Sequence, residues 1–416
     1  MKRFSKIILY IVAIGVLSWF LPWLYALCFP TPSSEPFCSF SPVSSKWVVT
    51  QSSPGQKPII LELDSIKADG SYAGHDITRE QRDSLVPQLF YKELMAHDRL
   101  PDTIGGKAVD IHQLRTHELM FNQSPRDLVK RQAGVWMMME SMPTRVELSD
   151  PDQVFRFTDG GGIEFVDMAT NSVNPSRSRR FTEAMRSHGF AFPAVDLSAN
   201  VTSRKQYDEG YLMIDSEGKP YHVKQQAGRP YVARIRMPDG RKASKVMIIE
   251  ETDRNILGLV ADTDGNLYFI EREGYTVMPL PVGKVDPRGE SILAMGNLFN
   301  TTFRFSGNGQ SRWRAIERTP EGYTLIGSFD RSAPRTDASV VADYIFPYTL
   351  SFVSTSDSLA YPRISRVSYK ALWLNLALAL LLFGINRRRG VKCPGGPLLT
   401  IILGVYSFFP FLLIHD

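Results

Sequence analysis

The stretch LGLVADTDGNLYFIE, residues 257–271, sets two runs of mainly apolar residues on either side of the polar turn DTDGN. Runs joined in this way by a short Asp/Gly turn are typical of a β-hairpin. Three more stretches have the same pattern of two alternating runs around a polar turn, namely VFRFTDGGGIEFVD (154–167), YLMIDSEGKPYHVK (211–224) and FRFSGNGQSRWRAIE (303–317). The sequence therefore predicts a mainly β domain with some α-helix.

The turn glycines of these four hairpins are Gly160, Gly218, Gly265 and Gly309, which recur at intervals of 58, 47 and 44 residues. Four-stranded propeller blades recur every ~40–50 residues, so a propeller-like domain is one interpretation of the spacing. A plain antiparallel meander is the other, because the similarity is confined to hairpin chemistry that any β domain uses. The spacing alone does not decide between the two arrangements.

Three apolar segments predict membrane helices. Ile7 to Phe29 are 23 residues without a charge, enough to cross a hydrocarbon core of ~30 Å. A cleaved signal peptide has a shorter apolar region of roughly 7–15 residues, so signal cleavage, or lipidation at Cys28, is the less favoured alternative. Near the other end, Ala371 to Ile385 and Pro397 to Ile414 are joined by NRRRGVKCPGG. These two segments predict a transmembrane helical hairpin.

Positive charges beside the apolar segments predict the orientation of the chain. These cations are Lys2, Arg3, Lys6, Arg387, Arg388, Arg389 and Lys392. The positive-inside rule places both groups in the cytoplasm, so residues 30–366 lie on the periplasmic side of the inner membrane. Three outer cations oppose this assignment, namely Arg363, Arg366 and Lys370. The cations in the loop of the C-terminal hairpin are closer together than these three, and the loop that carries them is shorter. We therefore give them more weight and keep the assignment.

Composition supports a division of the chain into four parts. These are an N-terminal transmembrane anchor (1–29), a mixed α/β extracytoplasmic segment (30–150), a β-rich repeat-like extracytoplasmic domain (151–366) and the C-terminal hairpin (367–416). The net charge of +5 arises at the membrane flanks, because eight of the 48 cations and one of the 43 anions lie outside residues 30–366. The 40 cations and 42 anions that remain exclude a nucleic-acid binder.

The stretch IHQLRTHELMF (111–121) holds the densest group of ligand-capable side chains, namely His112, His117 and Glu118. Histidines five residues apart do not share a helical face, unlike the pair four apart in zinc peptidases, so we predict a polar cluster and no metal site. The chain contains no phosphate loop, nucleophile elbow or dinucleotide fingerprint. We therefore predict no cofactor and no catalytic residue, and an enzyme is not favoured.

Several stretches together carry a family resemblance, namely LPWLYALCFPTPSSEPF (21–37), DTIGGKAV (102–109), RKQYDEGYLMIDSEGK (204–219), GRPYV (228–232) and ADTDGNLYF (261–269). The chain resembles an uncharacterised domain-of-unknown-function family of Bacteroidetes envelope proteins. The resemblance covers nearly the whole chain and carries no catalytic residues. Members of that family are associated with loci that encode ABC-type transporter subunits, which implies such subunits as partners.

The favoured hypothesis is a non-enzymatic, membrane-anchored envelope protein that serves as an accessory or scaffold subunit of a transporter-type complex. One apolar segment suffices as an anchor, so two more indicate contact with another membrane protein. The alternative is an extracytoplasmic hydrolase or carbohydrate-active enzyme that uses carboxylates on the β-rich domain, an argument from fold analogy. Expected partners are the membrane and ABC-type transporter subunits, and not nucleic acid.

Overall fold

The computed structural model of the chain describes residues 2–29, 35–52, 57–67, 72–128, 134–143, 147–250, 254–287, 289–307, 309–332, 336–353, 359–391 and 395–414. It contains two compact units. The β unit is Pro36–Ser332, and the helical unit combines Met1–Glu35 with Ala333–Asp416. The boundaries at residues 150 and 366 stay predictions from the sequence.

The strands and helices are numbered separately in chain order. The strands are β1 Phe37–Phe40, β2 Trp47–Gln51, β3 Ile59–Ile66, β4 Tyr72–Asp76, β5 Thr103–Ile104, β6 Lys107–Ala108, β7 Leu119–Gln123, β8 Trp136–Met137, β9 Gln153–Thr158, β10 Gly162–Asp167, β11 Asp196–Ser198, β12 Tyr211–Ile214, β13 Pro220–Gln226, β14 Arg229–Arg234, β15 Ala243–Ile248, β16 Ile256–Asp262, β17 Leu267–Glu271, β18 Val277–Pro279, β19 Ser291–Gly296, β20 Thr301–Gly307, β21 Gln310–Thr319, β22 Gly322–Ser332, β23 Tyr348–Ser351 and β24 Arg363–Val367. The helices are α1 Lys2–Cys28, α2 Arg79–Leu85, α3 Pro87–Ala96, α4 Ile111–Thr116, α5 Pro125–Leu128, α6 Pro175–Ser187, α7 Asp337–Ile345, α8 Leu372–Arg389, α9 Gly395–Leu403 and α10 Val405–Leu413.

The β unit is built from small antiparallel sheets. Five of them have three to five strands, in the orders β1-β2-β3-β4, β10-β9-β8, β11-β12-β13-β14, β15-β16-β17-β18 and β22-β21-β20-β19-β7. The four hairpins predicted from the sequence are confirmed as β9–β10, β12–β13, β16–β17 and β20–β21. A mainly β domain with some helix is therefore confirmed.

Two of these hairpins have the same turn. Asp215 and Asp262 each accept, through one carboxylate oxygen, the backbone N–H groups of the residues two and four positions later, at 2.8 to 3.0 Å. Gly218 and Gly265 follow three positions after the aspartates with φ of 84° and 85°, a left-handed backbone that favours glycine. The acidic DTDGN turn is thus a structural element of a repeated hairpin.

Neighbouring sheets pack face to face and share hydrophobic cores. Every residue of β16 is buried, because one side of its sheet packs on β11–β14 and the other on β19–β22. A strand that is buried on both faces has a nearly continuous apolar sequence. This explains the sequence ILGLVA in β16. Gly258 marks the close approach, since a Cβ atom there would lie 2.6 Å from Leu212 Cδ1.

The helical unit corrects one sequence prediction. Two of its helical segments, Phe4–Cys28 and Tyr369–Arg389, are long and apolar enough to cross a membrane. The third predicted span, Pro397 to Ile414, is wrong as a single helix, because the chain there forms α9 and α10, of nine residues each. They are separated by Gly404 at φ 56° and ψ −133°. That conformation is far from helical, so the run of apolar residues breaks there.

Candidate functional site

The predicted polar cluster lies on and just beyond the short helix α4. Asp110 precedes this helix, and its carboxylate accepts the backbone N–H of His112 at 2.8 Å. The Nδ1 atom of His117 lies 3.0 Å from the backbone oxygen of Gln113, and Glu118 is exposed. Within the described ranges, no three His, Cys, Asp or Glu side chains are grouped so that they could hold a metal ion. The assignment of these three residues as a candidate polar cluster stays a prediction.

His117 also lines a cleft of about 260 Å³ in the β unit. Its wall includes the apolar side chains of Leu119, Phe269 and Phe299. The guanidinium of Arg318 is another lining group, and it is paired with the Glu271 carboxylate at 2.7 Å. The cleft is also lined by the polar side chains of Asn297, Asn300 and Thr301. Its size suits a small group better than an extended substrate.

A larger constellation of ionisable groups surrounds the segment KQYDEG (205–210), which precedes β12. The Nζ atom of Lys205 lies 2.7 Å from the carboxylate of Asp208 and 2.6 Å from that of Glu250. All three side chains are at least nine-tenths buried. Buried charges are tolerated when they are paired, so this lysine neutralises two carboxylates that burial would otherwise destabilise.

The Glu209 carboxylate is the centre of the constellation, and its side chain is 1% exposed. It lies 3.3 Å from Lys224 Nζ and 2.9 Å from Arg254 Nη2, and it also accepts a hydrogen bond from Arg272 Nη1. Burial is the largest single influence and raises the pKa of this carboxyl, but Lys224, Arg272 and Arg254 together outweigh it, so the pKa lies below its ordinary value. Glu209 is therefore held ionised inside the protein.

The backbone of the segment is fixed by the same acids. The amide of Glu209 donates to Glu250 Oε1 at 2.6 Å, and the amide of Gly210 donates to Asp208 Oδ2 at 2.9 Å. Gly210 has φ of 71°, and a Cβ atom there would lie 2.4 Å from the Cβ atom of Lys224. Only glycine fits this turn, because any side chain would meet the neighbouring strand.

A chain of uncharged hydrogen bonds continues from Glu209 into the core. The His222 Nε2 atom lies 2.5 Å from the backbone oxygen of Glu209, and its Nδ1 atom lies 2.8 Å from the Tyr275 hydroxyl. Tyr275 and Tyr231 share a hydrogen bond between hydroxyls at 2.9 Å. Burial lowers the pKa of His222 to about 4. The imidazole is therefore neutral at pH 7, with the Nε2 proton assigned toward the carbonyl oxygen.

We call this arrangement of charged side chains the Glu209 network. It combines four cations and three carboxylates, namely Lys205, Lys224, Arg254, Arg272, Asp208, Glu209 and Glu250. Burial raises the pKa of Glu250 while that of Glu209 is lowered, a separation also found at acid–base sites. Both carboxylates are 1 to 2% exposed, so they face protein groups and not an open cleft.

Arg254 is the part of the network that reaches solvent. Its side chain is 55% exposed, and its guanidinium lies 4.0 Å from the centre of the Tyr207 ring. Arg272 reaches solvent to a smaller extent, being 25% exposed, and the other side chains of the network are at most 14% exposed. The segment KQYDEG does not reveal the network in the sequence, because the charged partners of Lys205 and Glu209 outside the segment lie 15 to 63 residues away along the chain. The one local signal was the density of charge directly before an apolar strand.

Comparisons with known proteins place this β unit in a family. The family model for a domain of unknown function, DUF4857, matches residues 37–316, which include the whole Glu209 network. A search of curated proteins finds no match.

One solved structure that is similar is PorZ, described as an essential surface component of the type-IX secretion system of Porphyromonas gingivalis. The two chains are 11% identical, the alignment covers 71% of this chain and 38% of PorZ, and the TM-score is 0.22. A likeness at that TM-score carries no argument about fold or function. The family match, in contrast, spans well over half of the sequence, and the chain therefore belongs to the DUF4857 family of unknown function.

Proposed function

We propose that this protein is a non-enzymatic, membrane-anchored scaffold or accessory subunit of a transporter-type complex. The observation that supports the proposal best is the pair of apolar segments, 25 and 21 residues long, in the helical unit. In the 18-residue windows that define them, only 6% and 28% of the residues are buried. Apolar helices with so much exposed surface are stable in lipid or against other apolar helices.

The orientation that we propose follows from the cations at the ends of these helices. Arg387, Arg388 and Arg389 occupy the last turn of α8, while Lys2, Arg3 and Lys6 lie in the first turns of α1. Cytoplasmic placement of both ends satisfies the positive-inside rule and puts the β unit in the periplasm. The protein would then be an inner-membrane protein with its main domain outside the cytoplasm.

The partner that we propose is another membrane protein, with ABC-type transporter subunits as the first candidates. On α8, Trp373, Leu380 and Phe383 are 77%, 65% and 55% exposed, so this helix offers a broad apolar face. A carboxylate hydrolase is less well supported. Its acids would have to face an open cleft, whereas Glu209 and Glu250 are buried in ion pairs.

Co-purification tests the scaffold proposal. The full-length chain, tagged and expressed at its native level, is extracted in mild detergent, and co-eluting proteins are quantified by mass spectrometry. A transporter-type membrane protein in near-stoichiometric amount would support the proposal, and recovery of the chain alone would contradict it. A variant with alanine at Leu376, Leu380 and Phe383 should lose the partner if α8 carries the contact. Alanine at the exposed α1 residues Ile8, Ile11 and Val12 is the matched control.

We also propose that the five larger sheets of the β unit are arranged like propeller blades. Successive sheets along the chain contribute to shared cores, as in the 5.8 Å contact between the rings of Phe269 in β17 and Phe303 in β20. The first and last of these sheets are in contact as well, with the rings of Trp47 in β2 and Trp313 in β21 at 6.5 Å. An experimental structure of the full chain tests this arrangement. Sheets that radiate from one axis would support it, and an open stack would contradict it.

A further inference from the structure

The helices α9 and α10 run antiparallel to each other. The hydroxyl of Ser407 in α10 lies 3.3 Å from the hydroxyl of Thr400 in α9. Farther from the break, a Cβ atom on Gly396 would lie 3.2 Å from the ring of Phe411. Thr400 and Gly396 lie four and eight residues before Gly404, and Ser407 and Phe411 lie three and seven residues after it. Contacts nested in this way are the pattern of a closed helical hairpin with its tip at Gly404.

Asn375 of α8 holds the tip of this hairpin. Its side chain is fully buried, and its Nδ2 atom donates to the backbone oxygen of Ile401 at 3.2 Å. A Cβ atom on Gly404 would lie 2.1 Å from Asn375 Oδ1. Two features therefore require glycine at position 404. One is its backbone conformation, and the other is the close approach of the Asn375 side chain.

The C-terminal end of the hairpin is fixed at the end of the bundle that carries the cations. Arg389, the last residue of α8, donates from Nη1 to the backbone oxygen of Leu412 at 3.3 Å. Tyr10, in the first half of α1, donates to the backbone oxygen of Ile414 at 2.8 Å. Tyr25 lies near the other end of α1, and its hydroxyl donates to the backbone oxygen of Ala338 at 2.9 Å. The chain therefore returns toward the start of α1.

Nine residues of helix are about 13 Å long, less than half of a hydrocarbon core of ~30 Å. We propose that residues 395–414 form a re-entrant hairpin, which enters the membrane from the side of Arg389 and leaves it on the same side. Only α1 and α8 cross the membrane, and the C-terminus lies on the same side as the N-terminus. Non-helical backbone at this depth is tolerated because protein surrounds it: Gly404 is buried, as are its neighbours Tyr406 and Ser407. The inference rests on the membrane placement proposed above.

The experiment compares the two chain ends within the same full-length protein. One protease-cleavable epitope tag is placed before Met1 and a different tag after Asp416, and cleavage is followed in right-side-out and inverted membrane vesicles. We expect both tags to be cleaved in the same vesicle orientation. Tags cleaved in opposite orientations would overturn the hairpin. A chain found in the soluble fraction would instead overturn the membrane placement, so the two failures are distinguishable.

Substitution at the tip provides a second test. Gly404→Leu removes the reversal and leaves 20 consecutive residues that are able to cross as one helix, so the C-terminal tag should move to the opposite side in a large fraction of the molecules. Gly384→Leu is the matched control, because a Cβ atom on that α8 glycine meets nothing within 4 Å. Unchanged tag accessibility and unchanged detergent stability in Gly404→Leu would overturn the role of the tip. If Gly404→Leu fails to accumulate, Gly404→Ala takes its place, because a Cβ atom there would already lie 2.1 Å from Asn375 Oδ1 and should shift the tag in the same direction.

Discussion

The two units of the chain bury polar groups in different ways. In the β unit the buried polar centre is ionic, with Glu209 facing three cations and Lys205 facing two acids. In α8, α9 and α10 the buried polar side chains are uncharged, and Asn375, Thr400 and Ser407 are all fully buried. These side chains donate to backbone oxygens of Ile401, Gly396 and Gly404 at 2.9 to 3.3 Å.

The difference bears on the membrane placement proposed above. An ion pair can be buried in a water-soluble domain when several partners compensate the loss of hydration. Inside a bilayer a charge is costly and uncharged polar groups that bond to nearby carbonyls are tolerated. The contrast is the one expected if the proposed placement holds, with the β unit in water and α8, α9 and α10 in lipid, while the buried Asp343 of α7 is paired with Arg366. Four substitutions test the contrast in order of decreasing expected effect.

Removal of the Glu209 carboxylate should have the largest effect. Glu209→Ala leaves Lys224, Arg254 and Arg272 without their shared anion, and breaking a buried ion pair typically costs about 3–5 kcal/mol. Urea denaturation of the full chain in detergent, followed by near-ultraviolet circular dichroism, measures the loss. Glu217→Ala is the control, since that carboxylate is 56% exposed, and it should leave the midpoint unchanged. A loss below about 1 kcal/mol for Glu209→Ala would show that the network is not cooperative.

Acid should destabilise the β unit through His222. Its pKa is about 4 in the folded protein, against 6.5 as the ordinary value. Below pH 6.5 the unfolded chain binds a proton that the folded protein does not bind, so the free energy of unfolding falls by about 3 kcal/mol between pH 6.5 and 4. The variant His222→Gln should have a flatter dependence over this range. The exposed His188, replaced by glutamine, should leave the slope unchanged, and equal slopes in all three proteins would contradict the prediction.

The repeated turn should contribute less. Asp262 accepts from two backbone amides, and its second oxygen accepts from Tyr268 and Arg241 at 2.9 Å. Asp262→Asn removes the charge from these hydrogen bonds, so we expect a loss of about 2 kcal/mol in the same denaturation assay. Asp264→Asn, at a side chain that is 63% exposed, should change stability by less than about 0.5 kcal/mol. Equal losses at the two aspartates would mean that the turn is not capped as described.

The smallest effect is expected at Asn375, in the helical unit. Interhelical hydrogen bonds in membranes average well under 2 kcal/mol, so Asn375→Leu should destabilise the helices by about 1 kcal/mol. Loss of helicity during titration with a denaturing detergent measures it. Leu376→Ala, at a side chain 45% exposed, is the control. A loss at Asn375 as large as that at Glu209 would remove the contrast between the two units.

The sequence predicted local features of this molecule and missed those that depend on distant partners. The Asp215 and Asp262 turns were predictable, because five consecutive residues contain both the carboxylate and the left-handed glycine. The Glu209 network was not, since Glu250 and Arg272 lie 41 and 63 residues from Glu209. Gly404 is an intermediate case. Its apolar neighbours indicated a single span, while the glycine itself was the local signal of a break.

The edge of the last large sheet has a consequence for synthesis of the chain. Strand β7 pairs with β19, with Leu119 opposite Gly296 and Phe121 opposite Ala294. At about 5–20 residues per second, β7 emerges from the ribosome about 10 to 30 seconds before the strand that it pairs with. Throughout that interval its backbone edge is open, and an unpaired edge is a template for aggregation.

A nascent chain arrested before Ser291 should therefore be cleaved readily by added protease around Phe121, and a chain extended past Ser332 should resist. Equal resistance in both chains would show that β7 finds another partner first. If the expected difference is found, the first third of the family domain remains without its sheet partner until nearly all of that domain has been translated. A chaperone that shields the edge of β7 would then act during this interval of translation.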